Sequence, residues 1–353
     1  MILRPLIAAC ILAASLAGTA VAQQLDRAII AASAPLTEAQ KSAVGAFASN
    51  HLRTIREMPS GSAVNDARTA LVSPMRDPAA TASFRKGMAQ VLVAELGPVA
   101  KGSDLRAAVV AMQVLRFTRS PEAIDVLVDR ATPSAERDPG KRVSAGSLAA
   151  DAFEDLDANN AFIESAARKL RDAAVAETDW LAMQQKLAAI GSAARRGDLS
   201  PDSARKIRLL QVDAISGLSK AIAAAKEADP RMQAVHRALI GLRNDLLTMK
   251  EADRSALAKP LAAALAGLMA AGAAQWDSAH ANPTLSASYS GTMNLAEVML
   301  RLIDRGERPS AYAGTKPDSD SRVLAPAWDA KDKAKFEAEA KRWAGIVAAA
   351  PYK

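Results

Sequence analysis

The chain reads as an all-α protein, and three observations carry that reading. Its strongly periodic segments repeat apolar residues at i, i+3, i+4 and i+7, and none alternates with period two. Apolar residues make up 50% of the chain but aromatics only 4%, with alanine abundant, which is the composition of closely approaching helices with small side chains. Strand formers are too sparse for a sheet. At 353 residues the chain is long enough for a substantial core, or for two.

The first 22 residues carry the grammar of an export signal. Arg4 gives a basic start, Leu6 to Ala17 an apolar run, and Ala20-Val21-Ala22 the small-x-small pattern of a cleavage site. The expected mature chain begins near Gln23, in the periplasm or outside the cell. Ile7-Ala8-Ala9-Cys10 spells a lipobox-like alternative with too short an apolar lead, and a retained anchor would be short for a bilayer. Starting at Gln23 removes Cys10, the one cysteine, and lowers the net charge from +7 to +6 by removing Arg4. No disulfide or cysteine-bound metal is then available. The 45 Lys and Arg are interspersed with 38 Asp and Glu, which excludes a nucleic-acid-binding composition.

Residues 23–175 form helical hairpins. Thr37-Glu38-Ala39-Gln40 is a capping box opening a helix to about Glu57, and Pro59-Ser60-Gly61-Ser62 closes it. A short helix over Val64–Val72 follows. Asp77-Pro78 then caps a longer helix carrying Phe84, Met88, Val91, Leu92 and Leu96, which Gly97-Pro98 stops. The clearest unit runs from Asp104 to Thr132. Leu105, Ala108, Val109, Met112 and Leu115 share one face, the chain breaks at Arg119, and Ser120-Pro121 restarts a helix with Ile124, Leu127, Val128 and Ala131 inward. Asp138-Pro139-Gly140 opens the next hairpin, lined first by Ala145, Leu148, Ala149, Ala152 and Leu156, then by Ile163, Ala166, Ala167 and Leu170.

When the hairpin starts are aligned, Arg68, Arg106 and Arg142 recur 38 and 36 residues apart. An acidic or turn residue, an arginine, an alanine-rich helix and then Ser120-Pro121-Glu122-Ala123-Ile124-Asp125-Val126-Leu127 resembles the HEAT family of helical repeats over roughly residues 63–173. The second repeat departs from it, with Asp155-Leu156-Asp157-Ala158-Asn159 in place of a proline-containing turn. The resemblance implies a stack of hairpins offering a surface to another macromolecule, and it brings no catalytic residues.

Residues 176–305 read as an antiparallel bundle of longer helices. Trp180, Met183, Leu187, Ile190 and Ala194 alternate three and four apart, as do Met232, Val235, Leu239, Leu242, Leu246 and Met249. A helix capped by Ser200 runs between them from Pro201 to about Glu227, with short turns on either side. Pro260 to Trp276 contains no charge and reads as a central helix buried on all sides, with Gly267 and Gly272 allowing close approach; as a membrane span it is short and too rich in alanine and glycine. Asn282–Thr292 reads as a polar loop before a helix over Asn294–Arg305. Residues 306–327 read as a linker and 328–353 as a docking segment whose helix, Asp329 to about Ala349, turns Phe336, Trp343 and Val347 inward.

No catalytic, cofactor-binding or metal-binding residue stands out. His51, His236 and His280 are far apart without ligand-spaced partners, and His236 lies beside an apolar stripe as a packed side chain would. Ser83–Lys86 and Ser203–Lys206 match S-x-x-K by two residues alone, lacking the companion elements of serine acyl-enzymes. Nucleotide-loop, dinucleotide-fingerprint and nucleophile-elbow motifs are missing, and Arg196-Gly197-Asp198 is too short a match to an adhesion tripeptide to signify. The one candidate site is a basic turn, Arg195, Arg196, Arg205, Lys206 and Arg208, opposed nearby only by Asp198 and Asp202 and suited to an anionic partner. The resulting expectation is an exported, non-catalytic binding or scaffolding protein of the envelope whose partner is another protein or an anionic envelope component. An enzyme with its site between the two halves and a peripheral binder of anionic polymer or lipid are the other readings.

Overall fold

The computed structural model describes residues 24–57, 61–313 and 322–353, so the export-signal expectation, Cys10 and the Pro59-Ser60 stop lie outside the described residues. Among them are sixteen α-helices and a 3-10 turn at Pro309–Tyr312, and no strand. The all-α expectation holds. The helices are α1 Arg27–Ile30, α2 Glu38–Glu57, α3 Gly61–Arg76, α4 Ala82–Lys101, α5 Leu105–Arg116, α6 Pro121–Ala131, α7 Pro139–Asp155 and α8 Asn160–Val175. They continue with α9 Trp180–Ala194, α10 Pro201–Ala223, α11 Met232–Thr248, α12 Glu251–Ala274, α13 Trp276–His280, α14 Pro283–Glu307, α15 Leu324–Asp329 and α16 Lys333–Val347.

Local chemistry sets most of the starts. Thr37 and Gln40 make the reciprocal bonds of a capping box, Gln40 N–H to Thr37 Oγ1 at 3.3 Å and Thr37 N–H to Gln40 Oε1 at 2.9 Å. Asp104, Ser120, Asp138 and Ser200 each accept a first-turn N–H, the last three followed by proline at the first helical position. The break at Arg119 is a left-handed residue with φ of 54°.

Several local readings are corrected. The short helix expected over Val64–Val72 is α3, Gly61–Arg76, and Gly97-Pro98 does not end α4. Pro74 and Pro98 sit in the final turns, where one lost backbone bond matters less than burying Met75 and Ala100. Asp77 forms a small turn, accepting from Ala79 N–H at 2.7 Å, and Thr81 is the true cap of α4. Asn282–Thr292 is not a loop: Asn282 caps α14, Pro283 takes its first position, and Tyr289 and Thr292 are fully buried. The expected linker, residues 306–327, carries the 3-10 turn and most of α15, whose Leu324, Ala325 and Ala327 are buried; residues 314–321 lie outside the described set.

Packing is in two layers. α3, α5, α7, α9, α11 and α14 stack in one, and α2, α4, α6, α8, α10 and α12 in the other, with α16 against α12. The stacking crosses residue 176 without a break, through α7 on α9 and α8 on α10. α10 and α11 barely touch, and in the second half α9 packs on α11, α10 on α12 and α11 on α14, so each layer continues past residue 176. Two apolar cores share α9. Ala189, Ile190 and Ala193 belong to the first, and Met183 and Leu187 to the second.

α12 is long and apolar enough to cross a membrane, but 56% of its apolar window is buried within the fold. Its burial is not all-round, since Ala263 and Ala270 face solvent. Both glycines do permit close approach. A Cβ at Gly267 would lie 2.7 Å from Ser219 Oγ, and one at Gly272 3.0 Å from Met293 Sδ. The last helix docks through Phe336 and Trp343 as expected, while Val347 is only half-buried.

Two buried polar networks tie the stack together. Glu177 and Lys186, both fully buried, meet at 2.6 Å, and Arg142 grips the same carboxylate through Nε at 2.8 Å and Nη2 at 2.9 Å. Backbone N–H groups of Thr178 and Asp179 complete it. Burial by itself would raise the Glu177 carboxyl, but these donors prevail and draw it down to about 2. At the other end Asp304 accepts from Arg308 at 2.6 Å, Tyr312 at 2.6 Å and Tyr352 at 3.0 Å. Glu297, fully buried, accepts the N–H groups of Val323 and Leu324 and so fixes the start of α15.

Candidate functional site

The five cations of the basic turn do not form one patch. Arg196 is an internal brace: its side chain is only 4% exposed, and it donates to Phe153 O and to Leu156 O, closing the end of α7. Its guanidinium also grips Asp198 at 2.5 Å and holds that carboxyl below the ordinary range. Arg205 and Lys206 both pair with Asp202, at 2.5 and 2.8 Å. Hydrogen bonding from Lys206, then Arg205, lowers that carboxyl. Arg195 approaches Asp245 at 3.7 Å. Burial raises the Asp245 carboxyl, partly offset by Arg195 and Arg208. Each cation thus has a carboxylate nearby, two of them, Asp245 and Glu164, contributed by helices distant in sequence.

The different roles give a direct expectation. Arg196→Ala should cost about 2 kcal/mol of stability, the scale of charged hydrogen bonds to buried acceptors. Arg205→Ala should cost clearly less because its pair is exposed. Urea melts of the two single variants beside wild type measure this, and equal losses would contradict the assignment.

The histidines are packed side chains. Burial lowers His51 and His236 below the ordinary range, and His236 lies 2.6 Å from where a Cβ on Gly291 would stand. The ring nitrogens of His280 face Trp276 O at 2.8 Å and Trp328 O at 3.0 Å, inside an aromatic cluster with Tyr289 and Phe336. Among the described residues no three His, Cys, Asp or Glu side chains gather as a metal set. Ser203 is buried and bonded to Ser200 at 2.9 Å, while Lys206 turns to Asp202.

A set of cations short of counter-charge lies elsewhere, between α3 and α5. Arg68, Thr69, Ser73 and Arg76 from α3 and Gln113, Arg116 and Phe117 from the end of α5 line a cavity of about 340 Å³ that contains no carboxylate in its wall. The guanidinium carbons of Arg76 and Arg116 stand 4.2 and 4.8 Å from the centre of the Phe117 ring. Arg68 donates to Gln113 at 2.8 Å. Asp151, on α7, reaches Arg116 at 3.4 Å, so one carboxylate stands against three guanidiniums.

One turn earlier on the same two helices, Val64, Leu105, Val109 and Val110 line a second cavity of about 390 Å³. The wall residues ascend together along α3 and α5, so the helices run in the same direction and the two cavities lie end to end in one groove. α3 and α5 pack more loosely than any later neighbours in their layer, which is why a groove remains there.

Sequence spacing gave the pieces without the site. Arg68, Arg106 and Arg142 share a repeat position but have three roles: Arg68 lines the arginine cavity, Arg106 the apolar one, and Arg142 is buried on Glu177. The exposed charge at Arg76 and the aromatic at Phe117, each at a helix end, were the available signal. No protein family matches this chain, and no curated protein or solved structure matches it.

Proposed function

We propose that this is an exported, non-catalytic helical binding or scaffolding protein that holds an anionic partner in the α3–α5 groove. One observation carries the reading: three arginines converge on a cavity whose wall holds no carboxylate, with Asp151 alone pairing to one of them, Arg116. Guanidiniums present planar forks matched to carboxylate and phosphate oxygens, and an anion between them relieves their mutual repulsion. Export rests on Arg4, the apolar run Leu6–Ala17 and Ala20-Val21-Ala22.

The test is a titration with fluorescein-labelled polyglutamate at low and high salt. Wild type should bind more weakly as salt rises, since exposed charges act over about 8 Å at physiological ionic strength. Charge reversal of Arg68, Arg76 and Arg116 together should weaken binding at least tenfold, whereas reversal of Arg205 and Lys206 should change it less than twofold. Equal losses from both sets would refute the groove. For export, the intact mass of secreted protein should correspond to a start at Gln23, and a mass retaining residues 1–22 would refute it.

A further inference from the structure

Resting on that reading of the groove, we infer that its occupant is an extended polypeptide segment, aliphatic at one end and acidic at the other. The groove itself is two-part. Toward the starts of α3 and α5 its wall is mainly aliphatic, Val64, Leu105, Val109 and Val110 beside Asn65 and Arg106, with Leu105 left 43% exposed, one of the few large apolar side chains the fold does not cover. Toward their ends the wall is the arginine set around Phe117.

The dimensions fit a peptide. Wall residues run from Gly61 to Arg76 on α3, about 22 Å at a rise of ~1.5 Å per residue, which an extended chain of about seven residues spans at ~3.3 Å each. Aliphatic side chains of the segment would cover Leu105 and the valines. Carboxylates at its other end would reach Arg68, Arg76 and Arg116, and its backbone would meet the hydroxyls of Thr69 and Ser73 along the groove.

The same features disfavour other anions. A phosphate or glycan polymer could meet Arg106 and Asn65 there but would leave the valine and leucine side chains uncovered. A lipid has an acyl chain needing an enclosed slot, whereas this wall is an open trough between two parallel helices. Among the described residues Arg76 makes no ion pair, so its guanidinium is available to a partner.

The experiment uses a fluorescein-labelled heptapeptide pool with three consecutive positions drawn from Leu, Val and Ile and four from Asp and Glu, joined in both orders. It is compared with an all-glutamate heptapeptide, polyphosphate and phosphatidylglycerol vesicles. We expect the mixed pool to bind full-length mature protein at least tenfold more tightly than the all-glutamate peptide. Leu105→Asp should remove most of that advantage, and Arg76→Ala, which breaks no ion pair, should weaken the mixed pool about fivefold. Melting curves of both variants should match wild type.

If polyphosphate binds best and depends on Arg76 but not on Leu105, the anionic groove stands and the peptide occupant falls. Vesicle binding lost in Leu105→Asp, without binding of the pool, replaces the peptide by a membrane surface. If no probe depends on Arg76, the occupant and the groove reading both fall.

Discussion

Glu177→Ala should lower stability by about 3–5 kcal/mol, the cost of stripping a buried carboxylate from partners that stay buried. Arg142 and Lys186 would be left facing each other without a counter-charge, between α7 and the start of α9. Removing the cations as well should be milder. In Glu177→Gln with Lys186→Met the second change should recover part of the first, because an apolar side chain of similar length leaves no stranded charge. The same carboxylate sets a pH dependence. Its value in the fold, about 2, lies below that of the unfolded chain, so its contribution is complete above the unfolded value near 4.5 and is lost as pH falls toward 2. Urea melts of wild type and Glu177→Gln between pH 6 and pH 2.5 measure this, and the gap between the two curves should narrow in acid. A gap that widened would refute the role given to Glu177.

The second large effect is expected at Asp304. Asp304→Ala removes the common acceptor of Arg308, Tyr312 and Tyr352 and should cost about 3 kcal/mol, since three donors lose a buried charged partner. Burial would raise this carboxyl, but the bonds from Arg308, Tyr312 and Tyr352 outweigh it and hold it low. Tyr352→Phe removes one of those bonds and should cost only about 1 kcal/mol. Carboxypeptidase digestion gives a local readout, with Tyr352 released faster in Asp304→Ala than in wild type. Equal release from both would show that Asp304 does not hold the end of the chain.

The contrast between these networks and the helix caps shows what the sequence could and could not reveal. Thr37 with Gln40, Ser120-Pro121, Asp138-Pro139 and Ser200-Pro201 act within four residues, so spacing alone exposes them. Gly267 and Gly272 announced close helix contact because nothing else explains glycine in an apolar helix. Arg142 meets Glu177 across 35 residues, a pairing that no helical period encodes. Pro98 misled because proline is read as a stop, whereas burial of the following turn outweighed one lost bond. In the basic turn the same kind of long-range pairing is at work: Asp245 and Glu164 reach it from other helices, and Arg196 turns inward. The groove was invisible because it depends on how loosely α3 lies on α5.

A helix that belongs to two cores changes how force travels. Pulling on the far end of the stack loads Met183 and Leu187 at the start of α9, while Ala189, Ile190 and Ala193 at its other end stay seated in the first core. With α8 and α10, which also place residues in both cores, α9 acts as a splice between the blocks, and extension must unpack these helices before either block can separate. With the first helices held, tension applied beyond α9 passes through α7 and α5 to α3, whose seat on α5 is lighter than any later one in its layer although α2 also packs on it. Strain on the distal helices would first change the width of the α3–α5 groove.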